Sequence, residues 1–102
     1  MIPRLTERER MDALEKASEA RRMRGSIKRA LKAGTLDPVR ALGMEDAARI
    51  KVRDFIKSLP GAGPVTAEKV MSRFEIAPSR RISGLGPKQM EHLVDWIRKR
   101  EH

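Results

Sequence analysis

The strongest constraint in this sequence is a helix signal that occupies a third of it. Thr6 has the character of an N-cap, Glu9 stands three positions on where a capping box needs it, and Gly34 is a natural terminator. The first 33 residues therefore read as one long helix. Its second half has a seam: Ala20, Met23, Ile27 and Leu31 recur at spacings of three and four, the mark of a face turned to a core. Its first half does not continue that seam. Residues 7–19 offer only Met11, Ala13, Leu14 and Ala17, and at about 100° per residue Leu14 points about 180° away from Met23. That half is expected to project from the core or to lie loosely across it.

Residues 34–102 must then supply the rest of the core in short pieces. Thr35-Leu36-Asp37-Pro38 predicts a cap with proline in the first turn, and a brief helix that stops near Gly43. A second brief helix is expected near residues 45–50. Val52, Phe55, Ile56 and Leu59 make a core-facing stripe that Pro60 ends. Val65 to Phe74 reads as a helix with Val70, Met71 and Phe74 inward. The last helix begins near Pro87, with Met90, Leu93, Val94 and Ile97 as its buried row and Trp96 at the edge. No strand-like alternation runs beyond three or four residues. The expected fold is all-α: a single domain over 1–102, in which a long N-terminal helix (1–33) sits on a small helical bundle (34–102).

Charge narrows the partner. Lys plus Arg number 23 against 14 Asp plus Glu, a net charge of +9. Each cation that neutralises a phosphate releases a condensed counterion, so the excess points to a polyanion. Nucleic acid comes first and an anionic membrane second. The membrane lacks its anchor, since no apolar run approaches the roughly 20 residues of a span. The segment from Met1 to Glu9 has no signal-peptide stretch either, and with no Cys there is no disulfide framework, thiolate metal site or thiol nucleophile. The expected location is the cytosol. The aromatics are Phe55, Phe74 and Trp96 only, too few for the stacking platforms that single strands and RNA loops use. A duplex held by its backbone fits better.

Three constellations have the chemistry for phosphate. Leu59-Pro60-Gly61-Ala62-Gly63-Pro64-Val65-Thr66-Ala67 sets two glycines around a small residue between a helix end and a helix start. Amides in such a turn can converge on a phosphate oxygen. This is the helix-hairpin-helix pattern, similar to DNA-binding modules of repair enzymes that ignore sequence; its bland reading is a tight turn without a ligand. Gly84-Leu85-Gly86 repeats the arrangement before Pro87, with Ser79, Arg80 and Arg81 ahead of it and Lys88 behind. The connection from Glu75 to Gly86 is too long for a simple hairpin, and Pro78 supplies a second turn, so residues 52–100 hold a helix-two-turns-helix region. Here cations and oriented amides come together, and Arg80 and Arg81 can fork onto phosphates or reach into a minor groove. The third is on the long helix: Arg21, Arg22, Arg24, Lys28, Arg29 and Lys32 occur without an acid between them, more than a helix dipole asks for at its C-terminus.

Catalysis has little to stand on. His92 and His102 have no metal-ligand companion at close spacing, and the acids mostly stand beside basic residues on helices, as surface pairs do. Neither an enzyme nor a cofactor is expected.

Leu14-Glu15-Lys16-Ala17, Ala20-Arg21-Arg22-Met23-Arg24, Leu59-Pro60-Gly61-Ala62-Gly63 and, most specific, Glu75-Ile76-Ala77-Pro78-Ser79-Arg80-Arg81-Ile82-Ser83-Gly84-Leu85-Gly86 follow one another in a familiar order. Together they resemble the actinobacterial type of integration host factor, a nucleoid-associated family. The resemblance implies binding of double-stranded DNA with little sequence preference, bending or compaction of the chromosome, and support of phage integration beside a phage integrase. Arg80, Arg81, Arg21, Arg22, Arg24 and Lys28 match its pattern, whereas Pro64, Thr66 and Ser83 stand where the family tends to carry basic residues. The candidate DNA contacts are thus Ser79, Arg80, Arg81, Gly84, Gly86 and Lys88, then Gly61 and Gly63, then Arg21, Arg22, Arg24 and Lys28, on a monomer. Two other readings remain: a ribosomal or RNA-binding protein, and an accessory DNA-binding domain of a repair enzyme.

Overall fold

The computed structural model describes residues 6–100. Helix α1 (Glu7–Ala33) begins and ends where its caps predict. The Thr6 hydroxyl accepts the Glu9 N–H at 3.1 Å, and Glu7 and Glu9 put negative charge on the first turn, where the helix dipole favours it. At the other end Gly34 takes φ +75°, and its N–H reaches the carbonyls of Ala30 and Leu31.

The apolar seam of α1 is shorter than its periodicity suggests. Ile27 and Leu31 are buried, but Met23 is 46% exposed and Ala20 lies in solvent. The reason is reach: a helix of 27 residues is about 40 Å long. The bundle beneath it covers only the last turns, in a molecule of 53 × 30 × 22 Å. The N-terminal part of α1 projects, and Met11 and Leu14 stand free on it.

Short elements close the bundle. In α2 (Pro38–Leu42), Asp37 accepts the Val39 N–H at 3.1 Å and Pro38 occupies the first turn. Where a brief helix is expected at 45–50 there is only a 3-10 turn, Glu45–Ala47, which runs on as non-helical turn backbone through residues 48–50. Then come α3 (Val52–Lys57), α4 (Pro64–Arg73), a second 3-10 turn (Ile82–Gly84) and α5 (Pro87–Arg100). Val52, Phe55, Ile56 and Leu59 are fully buried in one cluster with Leu31, Leu93 and Ile97. Each such side chain contributes about 1.5–3 kcal/mol by leaving water. The rows on α4 and α5 are narrower than predicted: Phe74, Met90 and Val94 are only half-buried, packed on the rim of that cluster beside Trp96, which stands at the edge as expected.

Candidate nucleic-acid interface

The α3–α4 connection is a tight turn with a free helix end behind it. The Ala62 N–H donates to the Leu59 carbonyl at 3.0 Å, and Gly61 takes φ +76°. With Pro60 before it, this is a type II turn, in which only the third residue must be left-handed. Arg100, at the end of α5, donates to the Pro60 carbonyl at 2.8 Å and lies over the Trp96 ring, bracing the turn from outside. Gly63 differs from Gly61. Its φ of −139° is ordinary extended backbone, it is the N-cap of α4, and nothing lies within 4 Å of where a Cβ would stand. Among the described residues the N–H groups of Gly63, Val65 and Thr66 have no acceptor. They form an open helix N-terminus with bare backbone in front of it, the geometry that takes an anion.

The second turn is built otherwise. Helix α4 ends in a Schellman motif: the Ile76 N–H donates to the Met71 carbonyl at 2.8 Å and the Glu75 N–H to the Ser72 carbonyl at 3.2 Å. Glu75, at φ +55°, holds the left-handed place that glycine usually takes. A turn closes from Ala77 to Arg80 at 2.9 Å, and the chain then pairs with residues 48–52. Val52 N–H donates to the Arg80 carbonyl, Ile82 N–H to Ile50 and Ser83 N–H to Ala48, around an antiparallel bridge of Lys51 with Arg81. Ile76 and Ile82 are buried on either side of the exposed Arg80 and Arg81. Gln89 fastens the two ends of the loop: its amide oxygen accepts the Gly86 N–H at 3.0 Å and its amide nitrogen donates to the Glu75 carbonyl at 3.0 Å.

This corrects the expectation that amides of Gly84-Leu85-Gly86 converge on a ligand. The Gly84 N–H goes to the Arg81 carbonyl, that of Leu85 to Ile82 and that of Gly86 to Gln89, so all three are already satisfied within the loop. Neither Gly84 nor Gly86 is left-handed. Gly84 is small for another reason: a Cβ there would lie 2.9 Å from the Arg80 side chain, which folds over the turn and donates to the Gly84 carbonyl at 2.9 Å. Arg81 donates to the Arg49 carbonyl. What the loop offers a ligand is cationic side chains, with Ser79 and Lys88 exposed at its two ends.

The stripe on α1 meets α3. Lys28, Arg29 and Lys32 line a groove with Asp54, Lys57 and Ser58, the residues that lead into the Leu59 turn. Arg21 and Arg22 are exposed on the projecting part, Arg24 and Lys28 half-buried near the bundle. The described contacts therefore place the stripe beside the first hairpin, while the Arg80–Arg81 loop is fastened to residues 48–52. Among the described residues the ion pairs are Arg53–Glu68 at 3.2 Å and Lys99–Asp95 at 3.0 Å, and none involves these cations. Sequence reasoning passed over Lys57, Arg49, Gln89 and Arg100. Of these Gln89 had a signal, since it stands three residues after Gly86 as a capping glutamine does.

Comparison with known proteins bears on this geometry. A model of the S13-like H2TH domain matches residues 26–96, the span from the base of α1 to the last turns of α5. The chain is 39% identical over 98 residues to the Integration host factor of Mycobacterium tuberculosis, covering 92% of this chain and 93% of that one. This chain belongs to the integration host factor family. Another member, the Integration host factor of Streptomyces coelicolor, is 42% identical over 96 residues, 90% of each chain. A solved family structure, of sIHF bound to an 8bp palindromic DNA, superposes with a TM-score of 0.75 at 34% identity, covering 81% of this chain and 98% of that one.

Proposed function

We propose that this chain is an architectural protein that holds double-stranded DNA by its phosphate backbone, with low sequence specificity, and bends or compacts it on the nucleoid. The observation that carries this reading is the solved relative, 34% identical and of the same fold, which is bound to DNA. The local geometry agrees with it. The open N-terminus of α4 suits a phosphate, Lys28, Arg29 and Lys32 line a groove with Asp54 and Lys57 of α3, and Arg80 and Arg81 form a second cationic point. The contacts we assign are Gly61, Gly63, Arg21, Arg22, Arg24 and Lys28 in the first group, and Ser79, Arg80, Arg81, Gly84, Gly86 and Lys88 in the second. In the second group the glycines act through shape rather than through their amides. Among the described residues no helix is long and apolar enough to cross a membrane.

At dilution a single copy binds, and on DNA it supports a phage integrase in a nucleoprotein complex. Competition tests the partner. DNA duplexes of unrelated sequence should displace one another within about tenfold, far short of the 10³–10⁷ ratios of specific readers. A matched RNA duplex, with its different groove and its 2′-hydroxyls, should compete at least about tenfold less well. An RNA duplex that competes better would make this an RNA-binding protein.

A further inference from the structure

The bridge between Lys51 and Arg81 sets two cations face to face. Val52 N–H donates to the Arg80 carbonyl and Ile82 N–H to the Ile50 carbonyl, both at 3.0 Å. These bonds flank the pair, which makes it the narrow, non-hydrogen-bonded kind, with Cα atoms about 4.5 Å apart and both side chains on one face. That face is outward. Lys51 (φ −65°, ψ 138°) and Arg81 (φ −100°, ψ 162°) are in extended backbone, where neighbours alternate, and their neighbours Ile50, Val52 and Ile82 are the buried ones. A register slip would bring these three out of the core, so the two cations are held opposite each other.

Like charges directly opposite on paired strands destabilise a fold, and nothing beside this pair relieves it. Lys51 is also the N-cap of α3, where a short polar side chain would bond the first amides; the lysine makes no such bond. The nearest acids along the chain are Glu45, Asp46 and Asp54. Asp54 lines the groove with Lys28, Arg29 and Lys32, and among the described residues none of the three acids pairs with Arg49, Lys51, Arg80 or Arg81. The Arg81 guanidinium donates to the Arg49 carbonyl, which holds it against residues 49–51, and Arg49 is itself an exposed cation. Arg80, by contrast, folds over the Gly84 turn.

We propose that Lys51 is a DNA contact in its own right: with Arg81 it clasps a phosphate of the duplex, and the anion relieves the repulsion that the two cations exert in the free protein. This rests on the reading of the chain as one that holds DNA by its backbone. Arg81 has one N–H tied to backbone and its other donors left in a fixed fork, while Lys51 adds a point charge beside them. The core under Ile50, Val52 and Ile82 fixes the spacing of the two before any ligand arrives. A local rule broken without compensation inside the chain marks a functional place.

Stability and binding should then move in opposite directions. Without DNA, Lys51→Glu turns repulsion into attraction across the bridge, and its melting temperature should rise by about 2–6 °C. Its affinity for a duplex of arbitrary sequence, at about 0.1 M salt, should fall more than about tenfold. Arg8→Glu makes the same change in net charge on the projecting part of α1 and should lose less than about threefold, since salt screens distant charges. Lys51→Met keeps the stem and drops the charge, and its log–log salt slope should be flatter than that of wild type by about one unit. A residue with only a structural role would lose stability and affinity together. The proposal is overturned by a Lys51→Glu chain that melts below wild type or loses no more affinity than Arg8→Glu. A Lys51→Met slope equal to that of wild type overturns it too. The wild-type titration separates this site from the broader reading. A wild type without salt-dependent duplex binding ends both; a wild type that binds as expected, beside a Lys51→Glu that binds equally well, ends the Lys51 site alone.

Discussion

Arg80 and Arg81 are each tied to a backbone carbonyl, Arg80 to Gly84 and Arg81 to Arg49, while their side chains remain exposed. Replacing both with alanine should therefore cost the fold a little, about 1 kcal/mol for each hydrogen bond at most. It should cost DNA affinity more than about tenfold and flatten its salt dependence by about two units. The same double change at Arg8 and Arg10 should cost affinity much less. A double mutant that melts far below wild type would make the loop structural; one that binds like wild type would remove it from the interface. The two glycines of the first hairpin separate in the same way. Gly61→Ala forces a left-handed Cβ and should destabilise by about 1–2 kcal/mol. Gly63→Ala meets no neighbour, so its melting should stay within about 0.5 kcal/mol of wild type. Its DNA binding should nonetheless fall severalfold, because the methyl stands before the open amides of α4. Unchanged binding by Gly63→Ala would place the phosphate elsewhere. The residue types at these sites were legible because proline, glycine and arginine have strong local chemistry. Which amides were free was not legible, because Gln89, Ala48 and Ile50 claim or free them from outside the motif.

Among the elements, α1 shows how far a sequence pattern reaches. Its ends follow from Thr6, Glu9 and Gly34, which act within one turn, and both were readable. The length of its buried seam was not, since burial depends on how much bundle lies beneath. Ala20 and Met23 keep the right spacing but have nothing under them. Residues 45–50 failed for a related reason. Ala48 and Ile50 give their carbonyls to the loop around Arg81, and one 3-10 turn is all the helix that remains. Amide exchange should show the consequence. At low concentration and without DNA, residues 7–25 should exchange fastest of the described helices, since only residues beyond them are packed. Those amides should slow when DNA is added. Uniform protection along α1 in the free protein would mean that its outer half is held by contacts the fold does not reveal.

The whole molecule is a small basic bundle with a long arm, and among the described residues none of the cations assigned to DNA is held in an ion pair, although Asp54 lines the groove with Lys28, Arg29 and Lys32. It has two cationic groups: one on α1 facing the end of α3, the other on the loop fastened to residues 48–52. The all-α class, the helix order and the two turns were open to reading from sequence, because each rests on local spacing. Where the second group sits was not, because it is set by the pairing of Arg81 with Lys51 across thirty residues. Holding DNA by its backbone through such groups has one direct signature. Each phosphate neutralised releases a counterion, and about six contacts give a log–log slope of affinity against salt near −5. Binding titrations of the wild-type chain with a duplex of arbitrary sequence, at salt concentrations across a fourfold range, should return that slope. A slope near zero would contradict the account.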